Sequence, residues 1–375
     1  MLIPILPLYA KDLGASVAAA SFIVGLYGFG NLLFNIPAGL IDSRFNKRKV
    51  SLIAISLAVL FVVLPAMVSS VGFLGLCMLL FGAARTTFFL IRLSYFRHII
   101  PARFRARRLA IIAGEYRLGN FIGPIVGGYT AAHFGFERTL FLAALFFFLG
   151  FVVMYLWLPS MQSRTECPES SDASVTGLPS MGRIGEVIKE NGRVFASAGT
   201  AIIVLQLMRT GRQVLVPLLG DAKGLDASQI GLIVGLTFLF ELLIFYPAAM
   251  VLDRWGRKVV SVPCMIFFSL GLGLFPLAGG FVGITLASMV TGLGNGIGSG
   301  LNMTLSTDFA PRSRPGEFLG VWRFIVDFGT SGGPFVVGAV AGVLSLGAAS
   351  LAVAALGFAG AGIMYFFVPE SLKKE

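Results

Sequence analysis

Charge is what this sequence has least of. Asp, Glu, Lys and Arg make up 13% of its 375 residues, about half the share in an ordinary soluble domain. With 56% hydrophobic residues, 47 Gly and 35 Phe, soluble, disordered and collagen-like classes are excluded. Histidine is almost absent: His98 and His133 cannot build a multi-His centre. The three cysteines (Cys77, Cys167, Cys264) lie far apart without metal-ligand spacing. Two of them fall inside apolar runs and read as small hydrophobes, so no metal site is expected. The Gly-rich stretch GLGNGIGSG (292–300) has no strand before it and no Walker Lys. It reads as a helix-packing stripe rather than a phosphate loop. No nucleophile stands beside a base, so neither an enzyme nor a cofactor is expected.

Long apolar runs are what the chain does have. They lie at 17–41, 49–69, 73–96, 109–131, 138–158, 196–218, 228–251, 259–278, 281–306, 317–341 and 347–368, each long enough to be a membrane-spanning helix. They do not alternate polar and apolar residues as barrel strands would. Residues 1–10 are apolar but too short to span, and with no basic segment before them they are not a secretory signal. The expectation is an all-α polytopic protein of eleven full spans plus a fragment.

The runs repeat. Pro37 to Val50 (PAGLIDSRFNKRKV) and Pro247 to Val260 (PAAMVLDRWGRKVV) align at an offset of 210. The same offset matches Gly14 with Gly224, Gly25 with Gly235, Gly82 with Gly292 and Pro101 with Pro311. It also matches Gly119 with Gly329, Gly123 with Gly333, Pro124 with Pro334 and Gly128 with Gly338. Two parallel six-helix halves are a known transporter plan with substrate near the midplane. The predicted division is 1–158, a linker at 159–195 and 196–375. Most of the linker is polar, Ser-rich and Pro-containing, and its end (MGRIGEVIKENGRVF) could lie as an amphipathic helix on the membrane surface. Pro7-Leu8 matches Pro217-Leu218, which ends a full run from about 196. The first helix is therefore expected to lack its first half, as in a truncated or mis-started chain.

The net charge of +11 does not read as nucleic-acid binding, because the basic residues sit in short turns. One side's turns hold 20 Lys and Arg against 3 on the other, which places the basic turns, the linker and the C-terminus in the cytoplasm of a cell (inner or plasma) membrane.

The stretch Pro247 to Val260 resembles the signature of the major facilitator superfamily between helices 8 and 9, with its partner between helices 2 and 3. The resemblance implies that Asp253, Arg254, Gly256, Arg257 and Lys258, with Asp42, Arg44, Lys47 and Arg48, form the contacts of a cytoplasmic gate. Ser43 and Asn46 depart from the pattern, standing where an Asp and a Gly belong. Gly119, Gly123, Pro124, Gly127 and Gly128 in helix 5 resemble the motif of the drug:proton antiporter branch. Gly329, Gly333 and Pro334 repeat it in helix 11, so it reads first as close helix packing. Position 78, where that branch carries an Arg, holds Met.

Ionisable residues inside spans are costly and mark function. Arg85, Arg209 and Arg212 are the candidate substrate contacts. Glu241 and Asp327 are the candidate proton carriers. From depth at 1.5 Å per residue, Arg117 is expected to pair with Glu241 across the halves and Asn31 to face Asp327. Arg323 should reach Asp327 one turn away. Glu115 and Arg92 lie nearer the cytoplasm. The expected function is proton-coupled efflux of drug-like compounds by alternating access. Transport of an organic anion, and a truncated, non-transporting protein, are the alternatives. The lipid bilayer, protons and a small organic solute are the expected partners, and a monomer suffices.

Overall fold

The computed structural model describes residues 1–68, 70–99, 105–157, 181–311 and 313–371, and within these the side chains of 43–44, 93–94, 96–99, 105–113 and 181–184 are outside the description. Most of the linker predicted at 159–195 (through residue 180, with Cys167), residues 100–104 of the basic turn, and the side chains of His98 and Arg44 therefore lie outside the described residues.

Among the described residues the fold is all α. The N-terminal half contains α1 (Leu2–Asp12), α2 (Val17–Arg44), α3 (Lys47–Met67), α4 (Val71–Ile99), α5 (Arg105–Phe134) and α6 (Phe136–Trp157). After the linker come α7 (Met181–Glu190) and α8 (Gly192–Val194), with a π-turn at Phe195–Gly199 leading into α9 (Thr200–Ala222). The rest of that half is α10 (Ala227–Trp255), α11 (Arg257–Leu274), α12 (Gly280–Ile297), α13 (Leu301–Asp308), α14 (Pro315–Val343) and α15 (Leu346–Phe366). Among the described residues, ten helical stretches are long and apolar enough to cross a membrane. α5 is as long but less apolar, with Glu115 and Arg117 inside it.

The caps follow the repeat. Ser16 accepts from the Ala19 amide at the start of α2, and Asp226, its counterpart, forms a capping box with Gln229 at the start of α10, satisfying helix-end donors. α7 lays its buried Val187 against the bundle, and its Glu186 holds Arg314, just before α14, at 2.6 Å. It thus packs on protein at the end of α14. That contact, outside the spans, raises the Arg314 pKa.

One expected span is broken. The run at 281–306 is α12 and α13, separated at Gly298–Gly300, where Gly300 turns left-handed at φ 92°. Only a residue without Cβ adopts that conformation cheaply.

Two antiparallel seams join the halves, α2 with α14 and α5 with α10. Without a hydrophobic drive in lipid, such seams rest on close backbone approach. A Cβ on Gly128 would lie 2.4 Å from the Ala227 carbonyl and 2.8 Å from Gly231 Cα. A Cβ on Gly235 would lie 2.5 Å from Ile125. In the other seam, Gly338 meets Ser21 at 2.9 Å, Gly25 meets Phe335 at 2.9 Å and Gly28 meets Ser331 at 3.1 Å. The pairs 128:231 and 125:235 become 338:21 and 335:25 under the 210-residue shift, so the seams share their rungs. Gly123 and Gly127 face Met1 and Ile5, in and just before α1, while Gly329 and Gly333 face α9. Gly119 departs from the close packing expected of the α5 motif, because nothing lies within 4 Å of a Cβ placed there. α1 has 11 residues against 23 in α9.

Candidate functional site

The C-terminal half holds a buried charge cluster. Arg212 on α9 and Glu241 on α10 are 4% and 6% exposed, and Arg212 Nη2 lies 2.6 Å from Glu241 Oε1. The approach is an ion pair by distance but not a directed hydrogen bond, and Glu241 Oε1 has no hydrogen-bond donor. Asn295 Nδ2 donates to Glu241 Oε2 at 2.7 Å. Phe238 and Phe268 place their rings 5.6 and 5.3 Å from the Arg212 guanidinium carbon, adding cation–π attraction. Arg209, half-buried one turn away, donates to Gln206 Oε1 at 2.9 Å and to the Gly298 carbonyl at 3.0 Å. That carbonyl stands at the C-cap of α12 and also accepts from the Leu301 amide at 3.3 Å; a cation suits the helix dipole there. The break was not legible beforehand, although the Gly-rich run was its signal.

The N-terminal half presents Arg85 on α4, half-buried, with its guanidinium carbon 5.8 Å from the Tyr27 ring. Thr86 Oγ1 donates to Asn31 Oδ1 at 2.6 Å. Arg92 reaches Glu115 at 3.2 Å, and Arg323 Nε donates to Asp327 Oδ2 at 3.0 Å. Glu115, Glu241 and Asp327 are therefore each held by an arginine. Arg85, Arg117 and Arg209 have no carboxylate partner among the described residues.

Two expected pairs are corrected. Glu241 pairs with Arg212 inside its own half, not with Arg117, whose guanidinium carbon stacks 3.8 Å from the Phe245 ring centroid. Asp327 accepts from Asn35 Nδ2, not from Asn31. Both partners lie one helical turn further along than equal depth implied. Helical side chains lean toward their own N-terminus. On α5 and α14 that lean runs toward the end with the basic turns, so Arg117 and Asp327 meet residues nearer that end of α10 and α2.

The gate motif divides. Arg257 Nε donates to Asp308 on α13 at 2.8 Å, and Arg257 Nη1 to the Leu252 carbonyl at 2.9 Å. Asp253 and Arg254 are exposed, without a described interhelical partner. Lys47 donates to Asp42 at 2.8 Å. Lys258 Nζ donates to the Tyr365 carbonyl at 2.8 Å, and Arg48 Nη2 to the Tyr155 carbonyl at 2.7 Å; the 210-residue shift turns one contact into the other. The caps differ. Asn46 caps α3 with its own side chain, accepting from the Arg48 amide at 3.0 Å. Gly256, its counterpart at φ 107°, has no side chain to do so. Glu370 takes the task, accepting from the Arg257 and Lys258 amides at 2.8 and 3.0 Å. Asp308 and Glu370 were missed by motif reading, which stops at the turn itself.

At the opposite end, Lys11 pairs with Asp221. These two residues also stand 210 apart, so one position of the repeat carries both members of a bridge between the halves.

The family profile of the Major Facilitator Superfamily matches residues 1–211 and 198–375. The uncharacterized MFS-type transporter MJ1560 of Methanocaldococcus jannaschii is 21% identical over 359 residues, covering 92% of this chain and 87% of that one. Multidrug resistance protein MdtG of Proteus mirabilis is 26% identical over 159 residues, 41% of this chain and 39% of the relative. The MFS-type transporter YfkF of Bacillus subtilis, also uncharacterized, is 26% identical over 152 residues, 40% of this chain; the chain spans 37% of that relative's length. Among solved structures, a peptide transporter POT in complex with sulfate superposes with a TM-score of 0.80 at 16% identity, covering 97% of this chain and 90% of that one. A D-xylose-proton symporter gives 0.74 at 16% identity, covering 99% and 93%. These likenesses are of fold. With the family profile spanning both halves, the chain belongs to the major facilitator superfamily of membrane transporters.

Proposed function

We propose that the protein is a secondary transporter that moves a small organic anion by alternating access, coupled to protons. The observation that supports the anion is the charge pairing. Glu115, Glu241 and Asp327 are each held by an arginine, while Arg85, Arg117 and Arg209 have no carboxylate at ion-pair distance among the described residues. Cations without an ion-pair partner are expensive in lipid, and keeping three of them favours an anionic visitor. Arg85 and Arg209 sit on helices that line the cavity in this superfamily, one in each half. Glu241 and Asp327 are the candidate proton carriers. The charge bias supports basic turns and a C-terminus on the cytoplasmic side of the cell membrane, and a monomer is sufficient.

A second reading, proton-coupled efflux of drug-like compounds, is favoured by the partial likeness to MdtG and by the Gly-Pro pattern of α5. One experiment separates the two. Inverted vesicles are energised to an acid interior, a pH-sensitive dye is loaded, and organic anions and amphipathic cations are added singly. A response to anions, lost in Arg85→Ala or Arg209→Ala, is expected. A response only to cations, lost in Glu241→Gln or Asp327→Asn, would transfer the protein to the drug class. Silence to both overturns proton-coupled transport.

A further inference from the structure

The seams carry more than their glycine rungs. Toward the end with the basic turns, each carries one polar contact between the halves among the described residues. In the α2–α14 seam Asn35 Nδ2 donates to Asp327 Oδ2. In the α5–α10 seam the Arg117 guanidinium carbon lies 3.8 Å from the centre of the Phe245 ring. Adding 210 to 35 gives 245, and adding 210 to 117 gives 327. The two contacts therefore occupy one position of the repeat, used once in each seam. When one half rocks against the other as a rigid body, they must break together.

Their chemistry differs. A guanidinium on an aromatic ring keeps its charge at any accessible pH. A carboxylate accepting from an amide does not: a proton added to Asp327 turns a charge-assisted bond into a neutral one of about half the strength. We infer that Asp327 with Asn35 is a proton-released latch that opens both seams at the basic end, and that Arg117 with Phe245 is its pH-insensitive twin. Acid weakens the first latch and base restores it. The proton comes from water and returns there, so nothing else is consumed.

The charged neighbours permit this. On α14 itself Arg323 faces Asp327 at 3.0 Å. From α2 the facing group is Asn35, while Asp42 is held by Lys47 at the far end. α9 brings Arg209 and Arg212, engaged with Gln206, Gly298 and Glu241. α15 carries no charged residue. Glu186 of α7 is bound to Arg314, and Asp308 of α13 to Arg257.

This proposal rests on the proton-coupled reading above, and its test is kept separate from transport. Spin labels are placed at Ile36 and Phe328, and in a second sample at Tyr246 and Leu118. All four are exposed, at 69, 56, 69 and 52%, each is next to a latch residue, and the two pairs are again equivalents under the repeat. Distances are measured in lipid nanodiscs across a pH series. Both should lengthen on acidification, with the latched-to-open ratio falling on the order of five- to tenfold. Asp327→Asn should flatten both responses. Asn35→Leu should do the same while leaving the carboxylate in place, which covers the case of a poorly folded Asp327 variant. Arg117→Met should shift the ratio by one factor at every pH without altering the profile. A wild-type pH response in Asp327→Asn or Asn35→Leu, or its loss in Arg117→Met, overturns the latch. If the distances follow Asp327 while no substrate moves protons in vesicles, the latch stands and coupled transport falls.

Discussion

Arg212 and Glu241 belong to the same half, so their attraction survives any rocking of one half against the other. They are an internal charge pair, and while Glu241 is ionised their energetics are those of burial. Removing one partner leaves a bare charge where solvent is excluded, at a cost of about 3–5 kcal/mol, whereas replacing both with apolar groups is far milder. Glu241→Gln or Arg212→Met alone should lower the melting temperature of the detergent-solubilised protein substantially. Arg212→Met combined with Glu241→Leu should recover most of the loss. Equal damage from the double variant would mean that packing, not charge, governs the site. The gate turn gives a second case. Arg48 and Lys258 each donate to a tyrosine carbonyl on the last helix of their own half, so Arg48→Gln and Lys258→Gln should destabilise the two halves alike. Because both contacts are near the surface, each change should cost about 1 kcal/mol or less, read as a small shift in thermal unfolding.

At the scale of the helix, the seams depend on glycine because backbone faces backbone. Gly128→Leu would drive a side chain into the Ala227 carbonyl and Gly231, neither of which can turn aside. It should abolish transport while the protein still inserts, as measured by substrate counterflow beside quantitative blotting of membranes. Gly119→Ala meets open space and should be silent in the same assay. The repeat and the apolar runs made the spans, the two halves and these seams legible from residue order. What stayed hidden needed geometry. Depth counting placed Arg117 opposite Glu241 and Asn31 opposite Asp327, each one turn from the partner found, because counting ignores the lean of side chains along a helix. The break after α12 was concealed inside a glycine run that fits an unbroken helix equally well. Arg212 was read only as a substrate contact, because nothing local announces that Glu241 stands across from it.

Considered whole, the molecule is joined across its halves by contacts that the repeat maps onto one another: the glycine rungs, the two polar contacts of the seams and the bridge of Lys11 with Asp221. That bridge is partly exposed, with side chains 32% and 38% accessible, so it contributes at most about 1 kcal/mol to stability. Its leverage is on the balance between states. Lys11→Glu should leave the melting temperature nearly unchanged yet raise labelling of a cysteine placed at the end remote from the basic turns. Reversing both charges, Lys11→Glu with Asp221→Lys, should restore the wild-type labelling. Labelling unchanged by the single substitution would show that the glycine seams alone hold that end closed.

The two halves also differ in when they can be finished during synthesis. The α3 helix carries its own cap in Asn46, so its first turn is complete as soon as it forms. The matching turn of α11 begins at Gly256 and waits for Glu370, more than a hundred residues later on the ribosome. Until that residue emerges, the amides of Arg257 and Lys258 have only water or lipid headgroups to meet. Quality control that inspects nascent membrane proteins would thus find one half closed early and the other open to the last, and a nonsense mutation just before Glu370 would expose a fault at a turn made long before.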